Sequence, residues 1–183
     1  MVTELRVYFE GDKGLRPGFH RFLGEIVETA RSQHCRFRLV DAKGTPIQDF
    51  RDALETHGDA WNVLLLDWED SDEDKNRRSQ LEGGDPGSVF WMVQIMEGWF
   101  LADIDALKAL FKKRFNEGAL GWNAKVEEIP KADVVERLKR LSGGEYHKVN
   151  HGVKLLQLID PEKVRKAAPN CERMFSVILA RLR

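Results

Sequence analysis

An α/β fold with a mainly parallel sheet is predicted by three observations. Short β-branched and aromatic runs recur through the first half of the chain. Segments of helical periodicity stand between them, as in a βαβ alternation with right-handed crossovers. One run, Trp61-Asn62-Val63-Leu64-Leu65-Leu66, is almost continuously apolar, which is how a strand covered on both faces reads.

The elements follow in order. Leu5 to Phe9 is a first strand ending at Glu10-Gly11, and Asp12 to Pro17 form a loop. From Gly18 to about Gln33, Phe19, Phe22, Leu23, Ile26, Val27 and Ala30 keep helical spacing and predict one helix. Cys35 to Val40 alternates as a second strand. Thr45-Pro46 is an N-cap and N1 pair opening a helix that runs to about His57. The apolar run from Trp61 is the third strand. Trp68 to Gly87 predicts a long acidic, glycine-bearing loop without structure of its own, a kind of loop that is often functional. Val89 to Gln94 is the fourth strand. Beyond Met96 the pattern is helical: a segment to about Arg114 that Asp103 caps, Lys131 to Leu141 behind Pro130, short helices over Val153 to Leu158 and Pro161 to Ala167, and a closing one from Met174. Residues 1–95 are thus read as the α/β core and 96–183 as a helical extension packed on it, one structural domain in all.

The 183 residues suit one domain, and 42% hydrophobic with 32% charged residues is a globular composition. No apolar run approaches the roughly 20 residues of a membrane span. The start of the chain lacks a basic segment leading into an apolar one, so a cytoplasmic place is expected. Cys35 and Cys171 have no motif spacing and are expected to be free thiols. Residues 1–95 hold 12 Lys+Arg against 18 Asp+Glu, and residues 96–183 hold 17 against 12. Either this is ordinary scatter, or an acidic metal-binding half stands beside a basic half that contacts phosphate.

In a parallel sheet the first and third strands share a direction, so their C-terminal ends open on the edge where such folds bind ligands. Glu10 ends the first, and Asp67 ends the third with Glu69 and Asp70 after it. In extended backbone Asp67 and Glu69 point the same way. Gathered carboxylates need an offsetting positive charge. A hard divalent cation, Mg²⁺ with Mn²⁺ as its substitute, is the expected occupant, with Glu10, Asp67, Glu69 and Asp70 as ligands. Gly11 leaves space for a close approach. Asp72-Glu73-Asp74 is expected to be a solvated acidic run.

These residues carry a resemblance. Val7-Tyr8-Phe9-Glu10-Gly11, followed by Leu64-Leu65-Leu66-Asp67-Trp68-Glu69-Asp70, is similar to the Toprim pattern, in which a glutamate follows the first strand and Asp-x-Asp a later one. More closely, the chain resembles a small Toprim-like bacterial family known only as domain of unknown function four-two-seven-six. That likeness extends over Met92-Val93-Gln94-Ile95-Met96-Glu97-Gly98-Trp99-Phe100-Leu101-Ala102-Asp103, Ile129-Pro130-Lys131-Ala132-Asp133, Tyr146-His147-Lys148 and His151-Gly152, nearly the whole chain. It implies a Rossmann-like Toprim core and a metal-dependent phosphoryl-transfer site, as in primases, topoisomerases and overcoming-lysogenization-defect nucleases. It also implies a setting in phage defence beside an ABC-type or AAA-type ATPase, and a role for Glu10 as general acid or base. The chain departs from the pattern at Glu69, where Toprim has aspartate, which loosens the ligand geometry by one rotatable bond.

Other candidates have two readings each. Glu97 either completes the metal site or pairs with a cation. Asp103, with Lys131, is a candidate to support the metal ligands from behind, or Asp103 is simply the N-cap before Ile104. Lys148 and His151, three apart on one helical face, are catalytic candidates placing positive charge opposite a metal. Lys131, His147 and Lys148 are candidates for holding nucleic acid, or belong to an ordinary solvated basic turn. Trp91, Trp99 and Phe100 are expected in the core. His20, His34 and His57 lack metal-ligand spacing. Three functions stay open: a Mg²⁺-dependent nuclease, a receiver-like signalling module, and a catalytically silent adaptor for an ATPase. The receiver reading lacks its hydroxyl residue after strand four and its lysine after a fifth strand. A homo-oligomer is compatible with each.

Overall fold

The computed structural model describes residues 2–42, 45–68, 71–81, 84–85, 87–121 and 125–183, with residues 73 and 74 described by backbone alone. Its four strands, β1 (Glu4–Glu10), β2 (Arg36–Ala42), β3 (Trp61–Trp68) and β4 (Val89–Val93), all pair in parallel in the order β2-β1-β3-β4. The architecture is the α/β fold with a parallel sheet and many helices that the alternation predicts.

Alternation along the strands sorts the core into two faces. Leu5, Val7 and Phe9 of β1 join Val63 and Leu65 of β3 in the larger cluster. That face is covered by α1 (Arg16–Phe22), α2 (Gly24–Ser32) and the C-terminal helices. Tyr8, Leu64 and Leu66 point the other way, onto Ile47, Phe50 and Ala53 of α3 (Pro46–Thr56). With helices on both faces, β3 must be apolar throughout, and residues 61–66 are all buried.

Three expectations need correction. The single helix over Gly18 to Gln33 is two helices that part at Leu23 (φ −84°, ψ 18°), directly before Gly24, a poor helix former. Thr45 precedes α3, but its side chain makes no capping bond. The acidic stretch after β3 is not structureless: it carries α4 (Asp72–Ser79). That helix has no apolar stripe to reveal it. Its acids stand at the N-terminal end and Arg77 and Arg78 in the last turn, where each sign suits the helix dipole.

In the second half, the 3-10 segment Met96–Ala102 leads into α5 (Ile104–Phe111), α6 (Lys131–Leu141), α7 (Lys148–Leu158), α8 (Pro161–Ala167) and α9 (Pro169–Leu182). α7 and α9 begin earlier than the apolar spacing predicts, because their first turns are largely polar. One hydrophobic cluster runs from β1 through Trp99, Leu155, Phe175 and Ile178, so both halves share a core. Phe22 stacks on Trp99 with ring centres 4.8 Å apart. Gly18 lets α1 meet α7: a Cβ there would fall 2.9 Å from the Leu156 side chain. Trp99 and Phe100 are core residues as expected, while Trp91 is half-buried. Both cysteines are free and buried. Among the described residues no helix is long and apolar enough to cross a membrane.

Candidate active site

In the order β2-β1-β3-β4, the chain leaves β1 toward β2 and later returns to β1's other side as β3. The C-terminal ends of β1 and β3 therefore flank the switch point, the crevice where open parallel sheets bind ligands. Glu10 and Asp67 occupy those ends. Glu10 Oε2 accepts from the Asp67 backbone N–H at 3.2 Å and from the Arg77 guanidinium at 2.8 Å. Gly11 turns away at φ 144°, a backbone conformation that L side chains rarely adopt and that favours glycine.

Strand parity gives the two carboxylates different surroundings. Asp67 shares its face with Val63 and Leu65 and meets the second half of the chain. Its Oδ1 accepts from the Met96 backbone N–H at 3.0 Å. Burial pushes the Asp67 carboxyl up to about 7, and the charges of Glu97 and Glu10 push the same way; the Met96 hydrogen bond and Lys148 oppose them. Glu10 shares parity with Tyr8 and lines a cavity of about 290 Å³ on the α3 side, together with Thr45, Gln48, Arg51 and Arg77.

Glu97 is brought in by an uncommon backbone turn. After β4, Gln94 adopts φ 63°, and its N–H donates to Trp68 O at 2.6 Å. The chain then enters the 3-10 segment, whose Met96, Glu97, Gly98, Trp99 and Phe100 are all buried. Glu97 is 1% exposed. Neither of its carboxylate oxygens has a hydrogen-bond partner among the described residues. Lys148 Nζ stands 3.0 Å from Oε1, near enough for an ion pair; the contact is best read as charge pairing without hydrogen-bond alignment. Glu97 thus has a cation beside it in Lys148.

The Tyr146 hydroxyl is also buried without a hydrogen-bond partner among the described residues. Burial first, and the Glu97 charge second, hold its ionisation well above the usual tyrosine range. A buried hydroxyl that bonds nothing in the folded state costs about 1–3 kcal/mol of desolvation. Tyr146→Phe is therefore expected to leave the thermal midpoint of the protein unchanged or raise it. A lowered midpoint would mean that the hydroxyl has a partner in solution.

The remaining sequence candidates separate. Lys148 begins α7 and faces Glu97. His151 Nδ1 accepts from the His147 backbone N–H at 2.9 Å, so it closes the first turn of α7, and its ring lies 5.2 Å from Phe111. His147, at the N-cap, is exposed. Lys131 opens α6, is exposed, and donates its backbone N–H to Gln94 Oε1 at 3.3 Å. Asp103 caps α5 through Ala106 N–H at 3.3 Å and also binds Asp160 N–H at 2.9 Å and Lys163 Nζ at 2.8 Å. Those bonds tie α5 to α8 and account for the residue structurally. Glu69 and Asp70 lie outside the described residues. Among the described residues no three His, Cys, Asp or Glu side chains are grouped closely enough to hold a metal ion. Arg77 is the residue that sequence reasoning missed. Its only signal is a basic last turn following an acidic first one, which periodicity does not detect.

Comparison with known proteins comes down to one family. The model described as Domain of unknown function (DUF4276) matches residues 12–179, most of the chain, beginning two residues after Glu10. No curated protein and no solved structure matches.

Proposed function

We propose, on the premise that the chain belongs to the family Domain of unknown function (DUF4276), that it is a Mg²⁺-dependent enzyme cleaving phosphodiester bonds in nucleic acid. One observation carries the reading. Glu10 and Asp67 end adjacent parallel strands at the switch point, where Glu10 Oε2 accepts from the Asp67 backbone N–H at 3.2 Å, and burial with the charges of Glu97 and Glu10 raises the Asp67 carboxyl. Carboxylate oxygens at the ends of adjacent strands are the ligand chemistry that a hard divalent cation takes. Asp67 and Glu10 would hold the ion, with Glu69 and Asp70 following directly in sequence. Bound there, it supplies Lewis-acid stabilisation of charge on a phosphoryl oxygen.

The chain's own residues supply the rest. Arg77 and Arg51 line the cavity beside Glu10 and offer the forked donors that suit phosphate oxygens. Glu10 stands where it can exchange a proton with an attacking water. Lys148 keeps a positive charge beside the buried Glu97. Glu10 after β1 and Asp67 after β3 of a parallel sheet support the Toprim-like reading. The defence setting and the ABC-type or AAA-type ATPase partner rest on the resemblance alone.

A second reading has its own observation. Arg77 already pairs with Glu10, and Lys148 with Glu97, so protein cations offset two of the three acids. That arrangement also suits a catalytically silent adaptor of an ATPase. Purified chain incubated with labelled DNA and RNA and either Mg²⁺ or Mn²⁺ separates the two. Cleavage that a chelator abolishes is expected for the enzyme. No cleavage of any substrate, with or without the co-purified ATPase, would leave the adaptor.

A further inference from the structure

The opposite edge of the same sheet carries a different chemistry. Where β1 and β2 begin, one carboxylate is shared by three guanidinium groups. Glu4 is 2.8 Å from Arg6 Nη1, 3.3 Å from Arg36 Nη1 and 3.1 Å from Arg38 Nε. Pairing register enforces the gathering: Glu4 lies opposite Arg36, and Arg6 opposite Arg38. Like charges placed directly opposite in a sheet are destabilising. A single glutamate side chain, about a fifth exposed, is what offsets them within the sheet.

These residues line a cavity of about 400 Å³ together with Thr56, His57 and Asp59, at and just beyond the end of α3. The volume lies in the range of small-ligand sites, about 300–1,000 Å³. Counting Asp59, the lining holds three guanidinium groups against two carboxylates. Each guanidinium has five N–H donors in a planar fork, far more than the Glu4 contacts use. Arg36 and Arg38 present theirs at the mouth, with side chains 67% and 49% exposed. Among the described residues no Phe, Tyr or Trp lines the cavity, and His57 is its one ring. With three guanidinium groups against two carboxylates, the group this lining selects is an anion.

We propose that this cavity binds a small phosphate-bearing ligand through its terminal phosphate, with Arg36 and Arg38 as the fork and Arg6 behind them. Glu4 sets the spacing of the three guanidinium groups. The site is independent of the carboxylate edge: six steps along the strand lead from Glu4 to Glu10, roughly 20 Å at about 3.3 Å per residue.

The test is calorimetry at fixed ionic strength, with chelator and no divalent ion, using inorganic pyrophosphate, ADP, and a short oligonucleotide with or without a 5′-phosphate. Pyrophosphate is expected to bind, and the double variant R36A/R38A to weaken it at least about tenfold, the scale of one lost charge-assisted contact. Both side chains are solvent-facing, so the double variant keeps the core intact. Asp67→Asn is expected to leave the affinity unchanged, which separates this site from the proposed catalytic one. Tighter binding of ADP than of the 5′-phosphorylated oligonucleotide assigns the ligand to free nucleotides; the reverse assigns it to nucleic-acid ends. No binding at millimolar pyrophosphate and ADP, equal binding by R36A/R38A, or oligonucleotide binding indifferent to the 5′-phosphate overturns the proposal.

Discussion

Asp67→Asn is expected to remove Mn²⁺ binding and cleavage together, yet to stabilise the metal-free protein at alkaline pH. The unusual half of this result follows from the sign of one shift. The Asp67 carboxyl titrates at about 7 in the folded protein against an ordinary value of 3.8, because it is buried beside Glu97 and Glu10. Between those two values the folded state keeps a proton that the unfolded chain has released. Stability from this group is therefore full below about pH 4, declines as pH rises toward 7, and is flat above it. At about 1.36 kcal/mol per unit, the decline amounts to a few kcal/mol. Asparagine never acquires the charge, so melts in chelator at pH 5 and pH 8 should differ less for the variant than for the parent. At pH 8 the variant should melt higher. Added Mn²⁺ should raise the parent's midpoint and not the variant's, because an ion that binds only the folded state stabilises it by mass action. A variant that keeps the parent's Mn²⁺ affinity by calorimetry would sink Asp67 as a ligand, and with it the proposed site.

The sheet was legible from sequence because its signal is periodic. β3 needs apolar residues at every position from 61 to 66, and that requirement is written in the chain. The Asp103 cap was legible for the same kind of reason, since a cap is a local bargain between one side chain and the next turn. α4 was not legible. It buries no apolar stripe and is held by charge at its ends, so it carries none of the spacing by which helices are recognised. The break at Leu23 was equally hidden, because Phe19, Phe22, Leu23 and Ile26 keep helical spacing straight through it.

The site was half legible. Glu10 and Asp67 could be placed because strand ends in a parallel sheet have a known edge. Their unequal surroundings required the actual topology: Asp67 faces the second half of the chain, while Glu10 faces α3 and Arg77. Glu97 lies thirty residues beyond Asp67. Its arrival depends on a positive φ at Gln94, a non-glycine residue whose sequence gives no warning of it. Lys148 was singled out as a cation for phosphate, and the structure sets its Nζ 3.0 Å from Glu97 Oε1. Which acids a basic residue will meet is a tertiary fact that charge counting along the chain does not reach.

Glu10→Gln is expected to fold, to retain most of the Mn²⁺ affinity, and to lose at least about a hundredfold in cleavage rate, the usual scale for a lost general acid or base. Glutamine keeps an oxygen that can accept from the Asp67 backbone N–H, so the bond joining the ends of β1 and β3 survives. It cannot take up a proton, and although the same oxygen accepts from both the Asp67 N–H and Arg77, it lacks the negative charge that pairs with the guanidinium. The Arg77 contact therefore needs its own control, because loosening α4 would also disturb the cavity that the two residues line. Arg77→Ala breaks that tie while leaving the Glu10 carboxylate in place. If Glu10 serves only to hold α4, the two variants lose rate equally. If it exchanges a proton, Glu10→Gln loses much more, and the acid-side or base-side limb of the pH–rate profile disappears in that variant alone. Full rescue of Glu10→Gln by excess Mn²⁺ would make the residue a ligand and nothing else.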